Sequence, residues 1–192
     1  MNLKEIEELG PCTEGWDNLV KHYPKWKGTL LEFMDLDKIP DEDKVWLFAD
    51  CTIDNDIKKE FAFICAETAM QHTDKKEIHT FHTLNLLDYE SGTYDYAALS
   101  AADSASSSVV FHDADSASSS VVFYAADYFA LSAARSSADY VSLSSSYSAA
   151  YYAANSAAEY ADDYVTRSAA RSAARKDQVD IIKNLLEEKG EK

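Results

Sequence analysis

SAAD SASS SVVF HDAD SASS SVVF YAAD YFAL SAAR SSAD YVSL SSSY SAAY YAAN SAAE YADD YVTR SAAR SAAR: these are residues 100–175, written four at a time. Nineteen units succeed one another without a slip in phase. The first position holds Ser, Tyr or once His. The second and third hold mostly Ala, Val or Ser, and the fourth takes Asp, Arg, Glu, Asn, Phe, Leu, Tyr or Ser. A longer echo lies inside the array, since ADSASSSVVF stands at 102–111 and again at 114–123.

A helix advances about 100° per residue, so a period of four overshoots each turn by about 40°. The stripe of small residues therefore winds around a helix, in the sense opposite to a heptad seam. Two adjacent small residues per turn let neighbouring backbones approach, with Tyr and Phe packed over the Ala/Ser grooves. A single straight helix over the array would run about 114 Å, against a radius of gyration of about 16 Å for a compact chain of this length. The array is therefore expected to fold back on itself. No Gly or Pro lies between Thr93 and Lys189 to mark the corners, and the candidate breaks are His112–Asp115, Ser136–Asp139, Ser144–Ser146 and Asn155–Ser156. A phase that survives every corner also suits a solenoid of twelve residues per coil, with Val109, Val110, Val121 and Val122 on strands. The alanine content and the absence of turn glycines favour helices, and the regular Tyr and Phe argue for burial over disorder.

The flanking segments are helical in pattern. Thr13 is the expected cap of a helix to about His22, with Trp16, Leu19 and Val20 on one face. After Pro24, Thr29–Leu36 carries Leu30, Leu31, Phe33 and Met34. Pro40 suits a helix start, followed by Asp41, Glu42 and Asp43 in the first turn and by Val45, Trp46, Leu47 and Phe48. Ile57, Phe61, Ile64 and Cys65 recur at helical spacing. Asp74 and Glu77 form a capping box for a helix to about Leu87, and Ser156 with Glu159 forms another. From Lys176, Val179, Ile181, Ile182, Leu185 and Leu186 make the stripe of a last helix stopped by Gly190. The expected fold class is thus all-α: an N-terminal helical domain (1–92), a tetrapeptide-repeat helical bundle or superhelix (93–175) and a C-terminal amphipathic helix (176–192), with the twelve-residue solenoid as the alternative.

The net charge of −16 argues against direct nucleic-acid binding, which needs Lys and Arg. It suits solubility, a basic protein partner, or imitation of a nucleic acid. No Lys or Arg occurs between Glu77 and Ala134, and the positive charge returns at Arg135, Arg167, Arg171, Arg175 and Lys176. Cys12, Cys51 and Cys65 are widely spaced, as expected of buried thiols in a reducing compartment. The charged start MNLKEIEELG does not read as a secretory leader, and no apolar run approaches the ~20 residues a membrane helix needs. The expected location is the cytoplasm, of a bacterium or of a phage-infected host, with no membrane contact.

No catalytic motif is present. GxSxG, GxxxxGK[ST] and GxGxxG are all missing, and the paired carboxylates at Asp162–Asp163 and Asp113/Asp115 read as capping or solvating groups. His79 and His82, three apart, read as two polar-face histidines; with Cys65 they lack the further ligands of a metal site. No enzyme activity, cofactor or metal is expected. Arg167, Arg171 and Arg175 lie four apart on one drifting face, read as solvated near a helix C-terminus or as a contact for an anionic or acidic partner. Tyr124, Tyr128, Tyr140, Tyr152, Tyr160 and Tyr164 share the first repeat position, as interface anchors or as packing over alanine.

Three segments precede the array in a telling order: Cys12-Thr-Glu-Gly15-Trp16, Asp43-Lys-Val-Trp46-Leu47-Phe48-Ala49 and Phe61-Ala-Phe-Ile-Cys65-Ala66-Glu67. Together with the array ending SAARSAARKDQVDIIKNLL, they resemble the bacterial and phage immunity protein family five and its five-like relatives, the alanine-rich tetrad-repeat immunity proteins. The array departs from that pattern in carrying Ser, Tyr and Val where relatives carry Trp and Ala. The resemblance implies a non-enzymatic inhibitory binding protein, immunity- or antitoxin-like or a phage counter-defence protein, that neutralises a toxin or immune effector. The expected partner-binding residues are Asp103, Asp115, Asp127, Asp139, Tyr128, Tyr140, Tyr152, Tyr160, Arg167 and Arg171. The alternatives are a sponge for a nucleotide-like ligand held by Tyr and Arg, an acidic nucleic-acid mimic, and a module that forms homo-oligomers through its Ala/Ser face.

Overall fold

The computed structural model describes residues 1–71, 76, 79, 80, 82–84, 132, 145–159 and 164–190. Seven helices lie within them: α1 (Leu3–Glu8), α2 (Thr13–His22), α3 (Leu30–Met34), α4 (Asp41–Asp50), α5 (Asn55–Met70), α6 (Ser145–Glu159) and α7 (Tyr164–Glu188). Among the described residues there is no β-strand, only an isolated bridge between Asn2 and Lys27. Lys76, His79, Thr80 and His82–Leu84 are also helical, and the Thr80 and Thr83 hydroxyls donate one turn back to the carbonyls of Lys76 and His79. The Asp74/Glu77 box, the breaks at 112–115 and 136–139, and the four valines of the solenoid lie outside the described residues.

Local chemistry explains the helix starts. Asn2 and Glu5 cap α1 reciprocally, and Thr29 with Glu32 does the same for α3. Pro40 precedes α4, whose first turn holds Asp41, Glu42 and Asp43 at the positive end of the dipole. At α2 the cap falls one residue earlier than Thr13. Cys12 is extended, and its Sγ accepts from the Gly15 amide at 3.3 Å, so a thiol fills the role usually taken by an oxygen.

The core joins the two halves of the chain. Phe48 and Phe61, both fully buried, meet edge to face with centroids 5.0 Å apart, a geometry that adds about 1 kcal/mol to area burial. Around them, α6 lies against both α5 and α7, and α7 also touches α3, α4 and α5. In α6 the second and third tetrad positions face inward as expected: Ala149, Ala150, Ala153, Ala154 and Ala158 are all buried. They span about 180° of the helix, wide enough for two neighbours at once. That burial carries α6 straight through Asn155–Ser156, so the break expected there does not occur and Ser156 lies within the helix rather than at its start. Asn155 instead donates back to the Tyr151 carbonyl. The break at Ser144–Ser146 coincides with the start of α6.

The same tetrad reads differently in α7. Ser168, Ala169, Arg171, Ser172 and Ala173 are exposed, and burial begins at Arg175. Arg171 and Gln178 lie within about 20° of each other around the axis, yet Gln178 is buried, so position along the helix decides, not face. Residues 175 and 176 sit mid-helix, and the tail continues the last tetrads without interruption. Val179, Ile182, Leu185 and Leu186 are buried as expected, and Gly190 takes a positive φ of 70° just past the helix end. Ion pairs Lys183–Asp35 (2.6 Å) and Lys189–Glu60 (3.2 Å) tie α7 to the first sixty residues.

Candidate functional site

The first turns of α2 and α4 open toward each other and enclose a cleft of about 850 Å³, within the ~300–1,000 Å³ range of ligand pockets. Pro11 and Pro40, just ahead of these helices, stand on its walls. Its apolar floor is Ile6, Leu19, Phe33 and Ile39, and Trp16 and Trp46 line its sides. Glu14 and Asp17 come from α2, Glu42 and Asp43 from α4; the cations are Lys21 and Lys38. Four carboxylates thus face two ammonium groups, and Lys38 pairs with Asp37 at 3.1 Å, which also accepts from the Tyr23 hydroxyl at 2.6 Å.

The two carboxylates of α4 differ in kind. Glu42 is exposed but held: the Tyr147 hydroxyl donates to its Oε1 at 3.2 Å, and the Arg175 guanidinium lies 3.8 Å away. Asp43 is half-buried, and among the described residues nothing hydrogen-bonds its carboxylate. Burial raises its pKa, and the charges of Glu42 and Glu14 raise it further. Gly15 leaves the space that this carboxylate uses, because a Cβ there would lie 3.1 Å from Asp43 Oδ1. With alanine there the carboxylate would have to give way by a few tenths of an ångström, whereas glycine inside a helix costs about 1 kcal/mol relative to alanine.

Behind the cleft wall is a buried polar node. Arg175, 5% exposed, donates to Gln178 Oε1 at 3.0 Å, while Gln178 donates to the Ala150 carbonyl at 2.8 Å. The guanidinium lies over the rings of Tyr147 and Tyr151, 5.8 and 5.9 Å from their centroids. Arg175 therefore leaves the solvated arginine face expected of it and becomes the link between α4, α6 and α7.

The residues singled out from the sequence lie elsewhere. Asp103, Asp115, Asp127, Asp139, Tyr128, Tyr140 and Tyr160 are outside the described residues. Tyr152 is half-buried against the core, its ring 5.5 Å from that of Tyr151. Arg167 is half-buried and Arg171 exposed on the outer half of α7. None of these three lines the cleft. Two further expectations are corrected: Cys12 is exposed and lines the cleft, and His82 is buried. The His82 ring lies 6.5 Å from Phe63, its Nδ1 has no hydrogen-bond partner among the described residues, and burial lowers its pKa. The sequence signals of the cleft were present, but Trp16 and Trp46 read as core residues and Asp41–Asp43 as first-turn charges.

Among the described residues, no three His, Cys, Asp or Glu side chains converge as a metal-binding group. The carboxylates and the indoles of Trp16 and Trp46 line the same cleft. No helix among the described residues is long and apolar enough to cross a membrane. No protein family, characterised protein or solved structure matches the chain.

Proposed function

We propose that this protein is a non-enzymatic inhibitory binder, of the immunity, antitoxin or phage counter-defence kind, that neutralises a basic protein effector by occupying it. The cleft between α2 and α4 is the contact surface. The observation that carries this reading is the pairing of an aromatic, apolar-floored cleft with an excess of carboxylates. The net charge of −16 favours the same partner, since it speeds the approach of a cationic surface. The Cys12–Trp16, Asp43–Ala49 and Phe61–Glu67 segments ahead of the tetrads are the residues that carry the resemblance to the immunity family. An anionic nucleotide would meet Glu14, Asp17, Glu42 and Asp43 here, so this cleft does not suit the sponge alternative, whose expected groove lies between the repeat helices.

The test is neutralisation in cells. The chain is co-expressed with toxic effectors encoded at its own locus, and the rescued pair is purified together. Growth rescue with a stable complex that dissociates as salt rises supports the reading. The double variant Glu14→Lys with Asp17→Lys should abolish both. Rescue without a complex, or a complex indifferent to both substitutions, refutes it.

A further inference from the structure

We infer that the cleft receives one arginine side chain of the protein partner, with Asp43 as the carboxylate that takes the guanidinium and the flanking indoles of Trp16 and Trp46 as its stacking walls. This rests on the binding reading above and specifies its chemistry.

The carboxylates of the cleft are not equivalent. Glu42 already accepts from Tyr147 and faces Arg175, so the fold uses it as the anchor of α6 and α7. Glu14 and Asp17 are exposed at the rim. Asp43 alone combines partial burial, a place in the cleft lining and no hydrogen-bond donor among the described residues. The fold makes room for it through Gly15, whose missing Cβ would crowd its Oδ1 and Cγ. Its place in the first turn of α4 favours this carboxylate, but half-burial beside two like charges opposes it, and a cation received in the cleft would relieve that cost. That partner group must be cationic, and must tolerate walls of indole and a floor of Ile, Leu and Phe. Guanidinium fits better than ammonium: it is planar, more weakly hydrated, stacks on aromatic faces and binds carboxylates through two parallel N–H groups. Lys38 also lines the cleft, but its ammonium is already paired with Asp37 at 3.1 Å.

The experiment titrates the intact ¹⁵N-labelled protein with N-acetyl-arginine amide and follows the indole N–H signals of Trp16 and Trp46, with Trp26 as an internal reference. N-acetyl-citrulline amide serves as the neutral isostere and N-acetyl-lysine amide as the competing cation. The expected result is a saturable shift of the Trp16 and Trp46 signals with arginine, at least threefold weaker binding of lysine and none of citrulline. Asp43→Asn should weaken arginine binding at least tenfold while raising the Tm at pH 7. Gly15→Ala should weaken it severalfold with Asp43 in place. A merely structural Asp43 would give the opposite sign in the Tm. Equal shifts with citrulline, tighter binding of lysine, or an unchanged titration in Asp43→Asn each overturn the inference. Neutralisation that survives Asp43→Asn would remove this site and leave the binding reading standing. An arginine titration that behaves as expected without any neutralisation would do the reverse.

Discussion

Replacing alanine by leucine at two equivalent tetrad positions should give two very different proteins. Ala149 and Ala173 both hold the second position of an SAA unit. Ala149 is fully buried on α6, whereas Ala173 is exposed on the outer half of α7. Leucine adds three carbons. At Ala149 they enter a helix that already packs against α4, α5 and α7, where insertion into a filled core costs about 1–3 kcal/mol. Three carbons at a site with no exposure belong at the upper end, about 3 kcal/mol. At Ala173 the same atoms reach solvent and should change stability by no more than about 0.5 kcal/mol. The difference of about 2.5 kcal/mol is roughly seventyfold in the folding equilibrium, and Ala149→Leu should lower the Tm by about 6–12 °C for a chain of this size. Urea unfolding followed by circular dichroism at 222 nm measures both variants. The midpoint should move for Ala149→Leu alone, with the slope unchanged. Equal losses at the two sites, as a uniform repeat would give, refute the packing described for α6 and α7.

Three other outcomes follow from particular side chains. Lys58 is buried, and its ammonium donates to the Ala49 and Cys51 carbonyls at 2.6 and 2.7 Å, closing the end of α4; Lys58→Met should cost about 2 kcal/mol in urea unfolding, the two charge-assisted bonds outweighing the relief of burying a charge, and an unchanged midpoint would contradict this. Burial, opposed by Glu67 and helped by His79, depresses the His82 pKa below its ordinary 6.5, so the folded state binds the proton less well than the unfolded one. Stability should then fall as pH drops from 6.5 toward the folded pKa, and His82→Phe should flatten that part of the curve; a slope unchanged by the substitution would refute the assignment. Cys12 is exposed while Cys51 and Cys65 are buried, with burial pushing the Cys65 thiol far up. A thiol reagent at pH 8 should therefore modify only Cys12 in the folded protein and all three in urea, which mass spectrometry checks directly.

Much of the helix content is legible in the residues because apolar side chains recur at helical spacing. Ile57, Phe61 and Cys65 on α5, and Val179, Ile182 and Leu186 on α7, lie where their periodicity predicts. The ends are harder. A cysteine cap at α2 goes unread because thiols rarely cap, and the Thr29/Glu32 box sits in a helix of only five residues. The tetrad pattern predicts the buried alanines of α6 but not the exposed ones of α7, because a local repeat carries no information about where along its axis a helix meets its neighbours. The cleft was not legible for the same reason. It requires Trp16, Asp43 and Tyr147 to come together, and residue 147 lies more than a hundred positions from the others. Arg175 is the sharpest case: one arginine of three at identical spacing is buried, and only the tertiary arrangement distinguishes it.

The clasp formed by α7 has a kinetic side. Its ion pair from Lys183 to Asp35 spans 148 positions, and the Tyr147–Glu42 bond spans 105. Helical proteins usually fold fast because their contacts are close in sequence, and rates fall as mean contact separation grows. Here helices α3, α4 and α5 wait for partners from the far end of the chain, so this predominantly helical protein should fold more slowly than helical bundles whose contacts are all local.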